Sequence, residues 1–220
     1  VILLGRYDKK TLNELVSLSD NMVYSGLNRL NIGIDEVICD AYGAISSLTA
    51  HLINTGCRNI GYIGAIPEKR SGIVNEHRFK AFCDAMTLGG MRVNDALCID
   101  IEPGMDSGYL AALNMIHGKA PIDAIVCAND TTALGVIRAL NEEGIKIPDE
   151  ISVVGMGFDN SEMGEYMTPK LTTADMQLKE IGRFAVKVLV DRIEGYHNIP
   201  VTTLLPYKLV IRGSSRDAPV

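Results

Sequence analysis

Three polar side chains far apart in the chain, Arg78, Asn129 and Asp159, are of types that can grip a small molecule rich in hydroxyls. Asn129 follows the apolar run Ala124–Ala128, at a strand end, where its amide can both donate and accept. Asp130 then opens a helix, and there its carboxylate reads as an N-cap that accepts backbone N–H groups. Asp159 follows Gly155-Met156-Gly157 at the end of a second buried strand. A turn-forming Asp beside glycines is common, yet a carboxylate held opposite Asn129 suits bidentate bonding to sugar hydroxyls or a base edge. Arg78 lies near the start of a helix, where its charge opposes the macrodipole. It therefore needs a nearby partner, and its planar five-donor fork matches pairs of hydroxyls.

Other chemistries find little support. There is no GxSxG, no HExxH and no P-loop, and no two carboxylates stand out as an acid/base couple. The glycines at 155 and 157 invite a dinucleotide, but Asn160 stands at the third glycine position. His51, His77, His117 and His197 lack the tight spacing of metal ligands, so neither a metal nor a cofactor is expected. Cys39, Cys57, Cys83, Cys98 and Cys127 are odd in number, scattered and mostly in apolar patterns, as inert thiols in a reducing compartment would be. A formal net charge of −6 and the lack of a basic cluster speak against this stretch gripping DNA itself. No apolar run approaches the ~18 residues of a membrane-spanning helix.

These residues need elements to hold them, and the patterning is α/β nearly throughout. In the stretch from 123 to 160, a strand at Ala124–Ala128 leads into a helix with its apolar face at Ala133, Val136, Ile137 and Leu140. Gly144 ends that helix, and a second strand, Ile151–Val154, follows. Such a unit is a right-handed crossover in a parallel sheet, so Asn129 and Asp159 both fall at the carboxyl edge, where open α/β folds bind ligands. Further strands read at Val1–Leu4, Met22–Tyr24, Val37–Cys39, Ile60–Ile66, Leu97–Ile101 and Leu171–Thr173. Leu204–Ile211 reads as one closing strand. Helices read at Thr11–Leu18, around Ile45, Leu48 and Leu52, at Glu76–Leu88, Ser107–Ile116 and Leu178–Ile193. Val1–Leu4 reads as a strand in mid-flow without an initiating Met, which predicts further residues upstream.

Taken in order, several short motifs resemble the lactose/galactose-repressor (LacI/GalR) family of bacterial transcriptional regulators. They are Asp40 with its helix, Leu52-x3-Gly56-x3-Ile60, Arg78-x3-Phe82 and Ala128-Asn129-Asp130-x2-Ala133-Leu134-Gly135. Gly144-x3-Pro148-Asp149-x-Ile151-Ser152-Val153-Val154-Gly155 and Phe158-Asp159-Asn160 follow. Pro169-x-Leu171-Thr172-Thr173, Gly182 and Lys208-Leu209-Val210-x-Arg212-x-Ser214 complete the set, which spans nearly the whole chain.

The resemblance implies a type I periplasmic-binding-protein-like α/β fold: two doubly wound parallel-sheet subdomains joined by crossover strands, with an effector cleft between them. On this carry-over, residues 1–56 plus 176–203 form the DNA-proximal subdomain, and 57–175 plus 204–220 the distal one. Arg78, Asn129 and Asp159 match the family's effector-binding positions, with Asp40 at the rim. Cys57 stands where the family usually has His, and Pro103 where many members carry a cleft aromatic. The implied protein is a cytoplasmic, non-enzymatic repressor. Its partners would be a sugar effector, a second copy of itself, and operator DNA reached through an N-terminal domain absent from this chain, with no membrane. A periplasmic sugar-binding protein of an ABC transporter is the alternative on the same architecture.

Overall fold

The alternation of apolar strands and amphipathic helices resolves, in a computed structural model, into two sheets. The structure describes residues 1–5, 7–27, 29–67, 76–118, 120–157 and 166–217. Strands β1 (Ile2–Leu4), β2 (Val23–Gly26), β3 (Asp35–Cys39) and β9 (Thr202–Leu205) form a parallel sheet in the order β1-β2-β3-β9. The second sheet has six strands in the order β10-β8-β7-β6-β4-β5. Its members are β4 (Ile60–Gly64), β5 (Cys98–Asp100), β6 (Ala124–Cys127), β7 (Ser152–Gly157), β8 (Thr172–Asp175) and β10 (Lys208–Val210). All pairs in it are parallel except β10 with β8.

Why the second sheet is covered on both sides follows from side-chain alternation. Tyr62, Ala124, Val126, Val154 and Met156 join one core with helices α2 (Ala41–Asn54) and α3 (Arg78–Leu88). Their neighbours Ile63, Ile125, Cys127 and Val153 join another with α4 (Met105–Ile116) and α5 (Asp130–Glu142). Strands buried on both faces read as continuous apolar runs, which is how they stood out in the sequence. In the first sheet, α6 (Leu178–Ile193) packs Ile181, Ala185 and Val188 into a core with Val23 and Val37. Leu12 of α1 (Lys9–Val16) meets Leu3, Tyr24 and Ile38 on the other face.

The chain passes three times from one sheet to the other, each time at the carboxyl end of a parallel strand. The passages lie between β3 and α2 at Asp40, between β8 and α6 at Met176-Gln177, and between β9 and β10 at Pro206-Tyr207. They are bonded to one another. Asp40 N donates to Leu205 O (3.3 Å), and Gln177 Nε2 donates to Pro206 O (2.7 Å).

One expectation changes here. The single strand read at Leu204–Ile211 is two short ones, because Pro206 cannot donate to a ladder and the chain leaves β3 to pair with β8. Residues 41–54, assigned to the first unit, form α2, which packs on β6, β7, β8 and β10; Leu204 and Leu205, assigned to the second, pair with β3.

Candidate functional site

Arg78 is the first helical residue of α3, and its side chain is about 1% exposed. A lone guanidinium could not be buried so deeply, since its desolvation must be offset by pairing. The partner is Glu76, two residues earlier and equally buried. Arg78 Nε donates to Glu76 Oε1 (2.8 Å) and Nη2 to Oε2 (2.5 Å), a fork-on-fork pair. Glu76 Oε1 also accepts the Arg78 backbone N–H (3.0 Å), so this carboxylate serves the α3 N-terminus, where the helix dipole favours negative charge. The side chain of His77, at the cap position itself, makes no cap bond. The sequence demanded a partner for Arg78 but did not name it; the Glu-x-Arg spacing at a helix start was the available signal.

The third arm of the guanidinium fixes its position in the fold. Nη1 donates to Ala128 O (2.8 Å), the residue between β6 and Asn129. Arg78 is therefore anchored at the carboxyl edge of the second sheet, on the residue just before Asn129. Cys39, the last residue of β3 in the other sheet, has its thiol pushed up to about 12, chiefly by burial.

Asn129 is 7% exposed and is the N-cap of α5, with Oδ1 accepting from Thr132 N (2.9 Å). The cap expected at Asp130 is therefore displaced by one residue. Asp130 is the first helical residue, and its Oδ1 accepts from Thr173 Oγ1 of β8 (2.7 Å). Gly155 on β7 makes room for that carboxylate, since a Cβ there would stand 2.5 Å from Asp130 Oδ1. Asp40 caps α2 through Oδ1 and Gly43 N (2.8 Å), half-buried at the first passage between sheets. Asp159 lies outside the described residues, two beyond the end of β7. Of the four expected site residues, the structure sets Arg78 and Asn129 at the carboxyl edge of the second sheet and Asp40 at that of the first.

Among the described residues, no three His, Cys, Asp or Glu side chains are grouped to hold a metal ion. Nor is any helix among them long and apolar enough to cross a membrane. Burial pushes the Cys127 thiol upward as it does that of Cys39, so neither is poised as a nucleophile.

Two lobes of parallel sheet with helices, linked by three bonded passages and with polar side chains at the facing carboxyl edges, define a periplasmic-binding-protein-like architecture. A model of the periplasmic binding protein-like domain matches residues 49–215. Among curated proteins, the HTH-type transcriptional regulator GalR of Lacticaseibacillus casei is 31% identical over 98% of this chain. The HTH-type transcriptional repressor PurR of Photobacterium profundum is 34% identical over 77% of it. The chain spans 65% and 49% of the lengths of those two relatives. Among solved structures, the transcriptional regulator CelR–cellobiose complex superposes with a TM-score of 0.86 at 27% identity, covering 98% of this chain and 65% of that one. A LacI-type transcription regulator from Bifidobacterium animalis subsp. lactis gives 0.86 at 27%, covering 98% and 78%. The chain belongs to the periplasmic-binding-protein-like family, in the branch formed by the effector-binding cores of LacI/GalR regulators. The resemblance read from the ordered motifs is borne out.

Proposed function

We propose that this chain is the effector-binding and dimerisation region of a cytoplasmic transcriptional repressor that responds to a sugar. The observation that carries the reading is the buried Arg78 fork bonded to Ala128 O at the carboxyl edge of one sheet, one residue before Asn129. Arg78 and Asp159 clamp ligand hydroxyls, Asn129 adds a bond from the head of α5, and Asp40 stands at the rim. The lobes divide at the passages: residues 1–40 with 177–205 form one, and 41–176 with 206–217 the other. Ligand caught between them alters the angle between lobes, a change that a dimer transmits to operator DNA through a domain outside this chain. The chain carries out no catalysis. A similar protein solved with cellobiose supports a carbohydrate as the ligand class.

Thermal denaturation against a panel of mono- and disaccharides tests this. A sugar at 100 times its Kd adds about 2.7 kcal/mol, which at about 2–4 °C per kcal/mol for a chain of this size raises Tm by about 5–10 °C. Asp159→Ala and Arg78→Ala are expected to abolish the shift. A hit whose affinity survives both substitutions would remove the site assignment.

A further inference from the structure

The donors around Arg78 already hold an anion. Glu76 spans the α3 N-terminus and the guanidinium fork, through Arg78 N to Oε1 (3.0 Å), Nε to Oε1 (2.8 Å) and Nη2 to Oε2 (2.5 Å). A helix N-terminus beside a bidentate arginine is the set of donors that a ligand carboxylate or phosphate seeks. Here an internal carboxylate takes that place, with both side chains about 1% exposed. Nη1 is committed to Ala128 O (2.8 Å) and Nη2 to Glu76, so both terminal nitrogens of the fork are already engaged within the protein. A second anion brought to this fork would share it with Glu76, and like charges in a dry site repel strongly.

We propose that Glu76 is a specificity-determining residue that restricts this site to neutral polyhydroxyl effectors, excluding sugar acids and sugar phosphates. The proposal rests on the effector-site reading given above. Glu76 acts through Arg78: it cancels the charge, holds the fork in one orientation and occupies the place of an anionic substituent.

Matched ligand pairs provide the test. Neutral sugars (glucose, galactose, ribose and cellobiose) are titrated calorimetrically beside gluconate, glucuronate, galacturonate, glucose 6-phosphate and ribose 5-phosphate. The native protein should bind at least one neutral sugar, and bind its anionic counterpart about tenfold more weakly or worse. Glu76→Gln removes the internal charge and should shift the anion-to-neutral affinity ratio by about tenfold or more towards the anion, a readout that loosened packing would not produce. Anions binding the native protein as tightly as their neutral parents overturn the proposal, as does an unchanged ratio in a folded Glu76→Gln protein. Should that variant fail to fold, the native comparison decides the matter alone. If neither series binds, the effector-site reading falls and the specificity proposal falls with it; binding without charge discrimination removes the specificity proposal only.

Discussion

Arg78 and Glu76 are costly to bury singly and tolerable together. Truncating either leaves the other charged in a dry site, so Glu76→Ala or Arg78→Ala should each cost about 3–5 kcal/mol in urea unfolding. Replacing both, as in Glu76→Gln with Arg78→Met, should recover at least half of that loss while abolishing ligand binding, because the penalty comes from the unpaired charge. A second buried carboxylate works differently. Asp35 is desolvated, which by itself would raise its pKa, but bonds from Arg192, Val201 N and His197 outweigh burial and hold it below its ordinary value of 3.8. A folded-state pKa below the unfolded one means that stability is fully present above about pH 4 and is lost as pH falls through the lower folded value. Urea midpoints measured from pH 7 down to 3 should drop in that acid window. Asp35→Asn should flatten the drop while lowering stability at neutral pH.

At the scale of elements, α4 and α5 approach each other closely at two glycines. A Cβ on Gly135 would stand 1.9 Å from Met105 O and 2.7 Å from Tyr109 N, and one on Gly108 would stand 2.4 Å from Thr132 O. These neighbours are backbone atoms, so no rotamer change relieves the clash. Gly135→Ala should push the helices apart and cost about 1–3 kcal/mol or more, read as a lower urea midpoint. Helix periods were legible in the sequence because each depends only on residues three or four apart; α6 spans Leu178–Ile193, as its apolar face implied. The closing strand was misread because alternation continues across Pro206. Nothing local says that its two halves serve different sheets.

For the whole molecule, the three passages between lobes act as one joint. Gln177 sits there with φ +53°, a left-handed conformation unusual for a residue with a side chain, and its amide reaches Pro206 O on the neighbouring passage. Ser47 of α2 meets Tyr207 beyond that same proline, with 2.7 Å between their hydroxyl oxygens. Gln177→Ala keeps the backbone cost and removes only the side-chain bond, so a loss of about 0.5–1 kcal/mol is expected in urea unfolding. A looser joint should also lower affinity for the proposed sugar effector without altering the proposed preference for neutral ligands.

By itself the sequence determined the alternation of strands and helices up to the closing strand, the doubly wound pattern, the family, and Asn129 as a residue of a carboxyl sheet edge. All of these follow from local periodicity or from motifs in fixed order. Only the tertiary structure decided that Glu76 is a counter-charge of Arg78, that Asn129 and Asp40 serve as helix caps, and that the chain passes from one sheet to the other at Asp40, Gln177 and Pro206. A carboxylate's partner and a strand's neighbour depend on which surfaces meet in space, and spacing along the chain does not encode that meeting.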